Sequence, residues 1–211
     1  MRTETARNSM LLALVAAVTL LVGGIGLELW REQYLDQQDL LLKPHLDTLR
    51  TSYADTLEMF RLAASAEMHS QMDRPEILAL IAHALDSGTT DLTPLQNRLR
   101  NALAQTYQRV QDWGGDRLQI NLADGRVLLS IHQPAARGDL QMAKSSSLRP
   151  TNVEKRAVDG LEAGRDGVSY RCVFPLSEKG RFLGNAVFDL PARRIIEKLN
   201  LQRAGAYERY Y

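Results

Sequence analysis

The sequence is poor in cysteine and almost free of net charge, and each shortage excludes a class of protein. One cysteine among 211 residues excludes a disulfide framework within the chain and a cysteine-rich zinc site. Lysine and arginine together number 26 and aspartate and glutamate 25, so the formal net charge is +1. Nucleic-acid-binding domains carry a basic excess, and the balanced charge therefore indicates no nucleic-acid partner. Hydrophobic residues at 45% are typical of a folded chain.

The motifs of common enzymes are also missing. The sequence contains no Gly-x-Ser-x-Gly, no phosphate-binding glycine-rich loop with lysine and no His-Glu-x-x-His. Gly164 and Gly167 indicate a turn, because no helix follows them to hold a phosphate. The four histidines show no paired ligand spacing. The sequence therefore predicts neither an enzyme nor a metal site, and it indicates no cofactor.

One apolar run is long enough to span a membrane. Ser9–Leu27 contains nineteen residues without a charge, and runs of about 18 or more such residues are candidates for transmembrane helices. Arg2 and Arg7 precede the run, and positive residues favour the cytoplasmic side. We therefore expect residues 1–8 inside, a single transmembrane helix at 9–27 and the rest of the chain outside.

A cleaved signal peptide is the alternative explanation of this run. Gly24-Ile25-Gly26 offers the small residues of a cleavage site. Nineteen uncharged residues, however, exceed the roughly 7–15 apolar residues of a signal peptide, which favours an uncleaved anchor. Both explanations export the bulk of the chain.

Residues 28–113 are expected to form a helical stalk. Up to about Ser70 this stretch has no glycine and one proline, Pro44, which should kink the helix or start a new segment. Two further helices are predicted at 76–85 and about 93–112. Apolar residues recur along the first stretch at steps of three and four, the period of one helix face: Leu42, Leu46, Leu49, Tyr53, Leu57, Phe60 and Ala64.

Two interpretations of these apolar faces stay open. In the first, the helices pack on one another and on a sheet. In the second, they form the seam of a homodimer, whose two chains run parallel because both leave the same membrane. The architecture of the rest of the chain favours a homodimer.

The apolar pattern changes from helical to alternating at about residue 114. Leu118, Ile120 and Leu122 alternate with polar residues, as in a half-buried strand. Four more strands are predicted, and their tight connections imply antiparallel neighbours: 126–132, 160–163, 168–176 and 181–190.

The order of the elements predicts the α+β class. A short helix ending at about Val158 separates the second and third strands, and Pro191 opens a last helix. Helix, two strands, helix, three strands and helix is the order of a PAS-like lobe, a five-stranded antiparallel sheet with a pocket between sheet and connector. We expect this lobe at 114–190, after the transmembrane and stalk helices, and a C-terminal helix and tail at 191–211.

An ordered set of residues along this lobe points to a family. The set consists of Asp124-Gly125-Arg126-Val127, His132-x-Pro134, Gly138-Asp139, Arg149-Pro150, Gly160-Leu161-Glu162-x-Gly164-Arg165-x-Gly167, Arg171, Pro175 and Leu183-Gly184. It resembles the Cache-type periplasmic sensor domains of bacterial receptors, in particular the double-Cache-like group with one PAS-like lobe and a long helical stalk.

The resemblance implies a sensor on a chemoreceptor, a histidine kinase or a cyclic-di-GMP enzyme. Such a domain is periplasmic, is held by the bacterial inner membrane and responds to small molecules. Receptors of this kind usually return through the membrane to a cytoplasmic output domain, which residues 191–211 do not contain. We therefore expect either the sensor portion of a longer receptor or a stand-alone anchored protein.

Arg171 is the principal candidate for binding a ligand. It lies in the middle of an apolar strand, where an unpaired buried charge costs on the order of several kcal/mol. Glu162, across the turn at 164–167, is the expected partner, and a structural or exposed ion pair is one interpretation. In the other, Arg171 with Arg149 or Tyr170 grips a carboxylate or other anion, since its guanidinium is a planar fork.

The remaining candidates lie near the connector at 133–150. Glu162 or Asp139 would suit a cationic ligand. His132 ends a strand beside a loop, where it either makes local hydrogen bonds or contacts the ligand. Cys172 is expected to be a small buried hydrophobic residue.

These features predict an anchored extracytoplasmic sensor that binds a small molecule and passes a signal through its stalk. The first alternative is an anchored scaffold that binds other envelope proteins and no small ligand. A pocket filled by the protein's own side chains would favour the scaffold. A periplasmic enzyme is the third hypothesis, and the missing motifs argue against it.

Overall fold

Two compact units make up the chain, Met1–Thr51 and Ser52–Tyr211. The computed structural model describes the backbone of residues 2–87, 91–134, 145–164 and 167–207. Side chains outside this description include those of residues 1–18, 22, 35–39, 41 and 201–207.

The described part of the first unit is helical. Helix α1, Arg2–Glu67, begins in this unit and continues through Pro44 without interruption, so the new segment expected at this proline does not start. A proline removes one backbone N–H and its hydrogen bond, and the long helix retains its bonds on either side. The Pro44 carbonyl oxygen accepts a hydrogen bond from Thr48 Oγ1 at 2.8 Å.

The apolar stripe of α1 is exposed within the first unit, where Leu42, Leu46 and Leu49 all face solvent. Over the side chains that the structure describes, no helix is long and apolar enough to cross a membrane. Residues 9–18 of the anchor expected at 9–27 lie outside those side chains.

The helices of the second unit begin with the end of α1, which passes into a π-helical turn at Met68–Met72. Helix α2 spans Pro75–Asp86, and Pro75 occupies the first turn, where its missing N–H needs no partner. Helix α3 spans Thr93–Asp112, and Asp91 Oδ1 accepts the Thr93 backbone N–H at 2.9 Å. The helices expected at 76–85 and 93–112 are confirmed.

Two further helices flank the last three strands. Helix α4, Leu148–Glu154, is shorter than expected and ends at Lys155, whose φ of 54° is left-handed. Helix α5, Ala192–Tyr207, starts directly after the last strand.

Five antiparallel strands form one sheet, in the spatial order β2-β1-β5-β4-β3. The expected five-stranded antiparallel sheet of an α+β fold is therefore confirmed. The strands are β1 Arg117–Leu122, β2 Val127–Ser130, β3 Val158–Gly164, β4 Gly167–Glu178 and β5 Arg181–Pro191.

A two-residue turn connects the two longest strands, and one irregularity between Leu176 and Ser177 shifts their register further along. Lys179 and Gly180, with φ of 49° and 80°, connect β4 to β5, and positive φ at both positions is the hairpin turn that suits the strand twist. Further along β5, Gly184 lies against β1. A Cβ at this position would come within 1.9 Å of the Asn121 carbonyl oxygen, so no larger residue fits.

One face of the sheet, here named the helix-side face, packs against α1, α2 and α3. Side chains from both layers are fully buried in one core, which confirms the first interpretation of the apolar helix faces for the second unit. Cys172 is buried there as expected. The core includes Phe60, Ala64, Ile77, Ile81, Leu99, Leu103, Leu118, Ile120, Cys172, Phe174, Phe188 and Leu190.

Candidate functional site

The opposite face of the sheet, here named the connector-side face, is lined by polar side chains. Successive residues of a strand point to opposite faces, so the residues between the core positions face the connector and α4. Arg117 and Arg171 both lie opposite Asp189 in the register of the sheet, and residues opposite one another share a face. The buried polar members are Gln119, Asn121, Arg171, Asn185 and Asp189.

A charged cluster occupies one end of this face. Arg171 donates from Nε to Asp189 Oδ1 and from Nη2 to Asp189 Oδ2, both at 2.8 Å. Its third nitrogen, Nη1, lies 2.8 Å from Glu162 Oε1, and Arg117 Nε lies 2.9 Å from Asp189 Oδ2. Two cations therefore face two anions. The expected pair of Glu162 with Arg171 is present, and Asp189 is the partner that sequence reasoning missed.

Burial makes this pairing necessary. The side chains of Arg171, Glu162 and Asp189 are 10%, 9% and 2% exposed. A buried charge that loses its partner destabilises a protein by about 3–5 kcal/mol. Any ligand that takes one member of the cluster must therefore supply a matching charge or hydrogen bond to the members it leaves.

The connector closes the cluster with two serines. Arg171 Nη1 donates to Ser145 Oγ at 3.3 Å, and Ser147 Oγ donates to Glu162 Oε2. Burial alone raises the pKa of Glu162, but the hydrogen bonds from Ser147 and Ser145 and the charge of Arg171 outweigh burial and hold it below its ordinary value. Burial likewise lowers the pKa of Arg171, and Asp189 and Glu162 together raise it above its ordinary value. The pair is therefore ionised at neutral pH.

A small cavity opens beside the cluster. Its volume is about 40 Å³, and its lining includes Asp116, Arg117, Ser169, Arg171 and Asp189. Typical small-molecule pockets measure roughly 300–1,000 Å³. This cavity therefore admits water or one small polar group.

An apolar contact fills the centre of the connector-side face. Leu148, at the start of α4, packs on Val173 of β4 and Val187 of β5, and all three side chains are buried. This part of the face is occupied by the protein's own side chains.

A row of amides occupies the other end. Gln119 Nε2 donates to Asn121 Oδ1 at 2.7 Å, and Asn121 Nδ2 donates to Asn185 Oδ1 at 2.8 Å. Asn185 Nδ2 then donates to Asn152 Oδ1 on α4 at 2.7 Å. Asn152 is 8% exposed, and its buried Nδ2 has no hydrogen-bond partner among the described residues. A buried donor left in this way costs about 1–3 kcal/mol.

Two of the predicted site residues lie away from the charged cluster. Tyr170 is on the helix-side face, where its ring meets Phe60 edge to face and its hydroxyl donates to Asp159 Oδ2 at 2.5 Å. The structure therefore does not bring Tyr170 to Arg171. Arg149 is exposed on α4.

The remaining predicted residues lie at the connector. His132 Nδ1 is 3.1 Å from Ser130 Oγ, just after β2. Asp139 lies outside the described residues. Asp189 could have been found by the argument used for Arg171, because it too is a charge within an apolar strand, between Phe188 and Leu190. The sequence around Asn152 and Asn185 shows no comparable pattern, since neither residue is charged.

Solved structures with a similar fold are bacterial sensor domains. The Escherichia coli DcuS sensor domain matches with a TM-score of 0.50 and 13% identity, over 69% of this chain and 98% of that one. The sensor domain of the Vibrio cholerae histidine kinase DctB matches with a TM-score of 0.45 and 13% identity, over 72% of this chain and 59% of that one. The ligand-binding domain of the Campylobacter jejuni chemoreceptor Tlp3, in complex with L-valine, matches with a TM-score of 0.43 and 14% identity, over 74% of this chain and 64% of that one.

Sequence comparison gives the family. Among curated proteins, none matches this sequence at a significant level. A family model described as the double sensory domain of two-component sensor kinases matches residues 48–200, well over half of the chain. The chain therefore belongs to this double-Cache family of sensor domains.

Proposed function

We propose that the chain is the extracytoplasmic sensing part of a bacterial membrane receptor and binds a small molecule at the connector-side face. The buried cluster of Arg171, Asp189 and Glu162 carries this proposal. The connector contacts this cluster through Ser145 and Ser147, and we propose that the ligand takes the place of these contacts. The ligand-binding expectation for Tyr170 and Arg149 is not retained.

The cluster can accept a group of either charge. An anionic group would pair with Arg171, whose guanidinium suits a carboxylate through two parallel hydrogen bonds. A cationic group would pair with Glu162 in the place that the guanidinium now holds. Asp139 and His132, on or beside the connector, would supply further contacts.

The two faces of β4 offer a route for the signal. Arg171 is on the connector-side face, and its neighbour Tyr170 contacts Phe60 of α1 on the helix-side face. A ligand that shifts Arg171 would shift the strand and alter this contact. We propose that the change passes along α1 to an output domain or a partner protein.

Ligand binding can be tested with the full chain in detergent micelles. Unfolding is followed by tryptophan fluorescence, since the chain has two tryptophans, in a panel of small acids, amino acids, amines and amides. We expect at least one probe to raise the melting temperature of the wild type and not that of Arg171→Ala. Arg149→Ala, an exposed arginine on α4, is the matched control. A folded Arg171→Ala that responds like the wild type would overturn the site.

An anchored scaffold is the second candidate, and the packing of Leu148 on Val173 and Val187 favours it. The small cavity points in the same direction, because a self-filled face needs no ligand. The scaffold predicts that no probe in the panel changes the melting temperature. It also predicts that a defined envelope protein copurifies with the full chain.

The membrane anchor at 9–27 belongs to this proposal. It rests on the uncharged run and on Arg2 and Arg7 before it, which orient the chain with residues 1–8 in the cytoplasm. The full chain should stay in the membrane fraction after alkaline carbonate extraction. A double variant, Val15→Arg with Leu20→Arg, should be extracted, because each arginine at the centre of a membrane helix costs about 2.5–3.5 kcal/mol.

A parallel homodimer is also proposed. The exposed stripe of Leu42, Leu46 and Leu49 on α1 is apolar at helical spacing and suits the same stripe of a second copy. Oxidation of Leu46→Cys should give a disulfide-linked dimer, since the native Cys172 is buried and stays silent. Asp47→Cys, at the next residue, should link far less. Equal linkage at both positions would contradict this seam.

A further inference from the structure

The amide row ends in a donor that the fold does not use. Gln119 donates with its nitrogen to the oxygen of Asn121, Asn121 donates to Asn185, and Asn185 donates to Asn152. Every bond therefore runs in the same direction, and the last nitrogen, Asn152 Nδ2, is buried without a partner among the described residues. Hydrogen bonds that run in one direction polarise each other, which strengthens the terminal N–H as a donor.

The position of this donor is set by the amide row. Asn152 Oδ1 is held on Asn185, and the preceding residue, Thr151, donates from Oγ1 to the Ser147 carbonyl oxygen at the start of the same helix at 3.1 Å. Thr151 itself is fully buried. Because the amide plane is fixed through its oxygen, the nitrogen cannot turn to another protein acceptor without breaking the row.

We propose that Asn152 Nδ2 is a ligand contact and donates to a carboxylate or carbonyl oxygen of the bound molecule. Gln119, Asn121 and Asn185 are its positioning residues. This inference rests on the proposed function, and it adds a second, uncharged contact on the same face as Arg171. Asp189 and Asn185 are four residues apart on β5, about 13 Å along the strand, with Leu148 packed on Val187 between them, so a ligand that reaches both ends must displace Leu148.

Asn152→Asp tests the donor alone. The substitution keeps the oxygen that accepts from Asn185 and replaces only the free nitrogen by a second oxygen. A carboxylate probe would then meet an oxygen in place of an N–H, whereas the primary amide of the same acid could turn and donate its own N–H. Asn200→Asp, on the exposed surface of α5, is the control for the added charge.

The measurement is the dissociation constant of each probe that stabilises the wild-type full chain, for the acid and for its primary amide. We expect Asn152→Asp to weaken the acid relative to the amide by about tenfold or more, and Asn200→Asp to leave the ratio unchanged. An unchanged ratio in Asn152→Asp would overturn this inference and leave the proposed function standing. If no probe binds the wild type, the proposed function fails and this inference fails with it.

A second measurement covers the case in which Asn152→Asp does not fold. In the wild type, the side-chain amide resonance of Asn152, assigned by its loss in Asn152→Ala or by through-bond experiments, should shift downfield when a stabilising acid is added. A resonance that does not move at saturation would overturn the contact.

Discussion

The two faces of the sheet come from alternate residues of the same strands, yet they are stabilised in different ways. On β5, Phe188 is fully buried in the core of the helix-side face, and the next residue, Asp189, is buried on the connector-side face with Arg171. On β4, Arg171 is likewise on the connector-side face, and the next residue, Cys172, is in the core of the helix-side face. The helix-side face is stabilised by removing apolar surface from water, whereas the connector-side face depends on matched partners.

This difference separates stability from recognition. An apolar core tolerates exchange between side chains of similar volume. A buried polar face tolerates a new molecule only when that molecule replaces the partners it displaces. The proposed ligand site therefore lies on the connector-side face, while the helix-side face holds the sheet on its helices.

The largest effect is expected from removing a core ring. Phe188→Ala, at a fully buried position beside Phe174, should lower the free energy of unfolding by about 3–5 kcal/mol, because it leaves a cavity. Urea denaturation of the full chain followed by tryptophan fluorescence measures the loss. Ile196→Ala, at an exposed position on α5, should change it by about 0.5 kcal/mol or less. Similar losses in both variants would contradict the proposed role of the helix-side face.

The second-largest effect is expected from neutralising Asp189, the central anion of the connector-side face. Asp189→Asn preserves shape but leaves Arg117 and Arg171 with one carboxylate, and we expect a loss of about 3 kcal/mol. The matched control is Asp86→Asn, which breaks the exposed ion pair with Arg181 and should cost about 1 kcal/mol at most. If the two losses are equal, burial does not distinguish the connector-side cluster from a surface pair.

Acid should weaken the connector-side face through Glu162. The pKa of this carboxyl is lowered in the folded protein, so its stabilisation is complete above the ordinary value of 4.5 and is lost as the pH falls through the folded-state pKa. Glu162→Gln should remove this dependence, which for one group is at most about 1.4 kcal/mol per pH unit. Melting temperatures between pH 7 and pH 3 measure it. Glu197→Gln, an exposed glutamate of α5, should retain the wild-type slope.

The smallest effect is expected at Tyr170. Tyr170→Phe removes the hydrogen bond to Asp159 and should cost about 1 kcal/mol, while the ring keeps its contact with Phe60. Because Tyr170 is on the helix-side face, the dissociation constant of any probe bound at Arg171 should not change. A larger dissociation constant, measured by calorimetry, would mean that the Tyr170 hydroxyl contributes to the ligand site.

Much of this fold was predictable because its strands follow local rules. Leu118, Ile120 and Leu122 alternate with polar residues, and the short connections imply antiparallel neighbours, so the sheet could be derived from pattern alone. Pro44 misled the same reasoning, since the loss of one hydrogen bond does not end a helix that is otherwise intact.

The site was less predictable because its partners meet across the sheet. Arg171 and Glu162 could be paired through a short turn. Asp189 lies opposite Arg171 in the β4–β5 hairpin, but it meets Arg117 only because β5 also pairs with β1, which is a property of the whole sheet. The position of Asn152 is still less predictable from the sequence, since its contact with Asn185 depends on how α4 packs on the strands.

The turn at Lys179-Gly180 and the register shift between Leu176 and Ser177 together set which side chain of β5 reaches which face. Strand pairing has a period of two, so one residue added to or removed from this hairpin would exchange the faces of β5. Asp189 would then enter the apolar core and Phe188 would press on Arg171. The length of the hairpin therefore places Asp189 beside Arg171 on the connector-side face and Phe188 in the core.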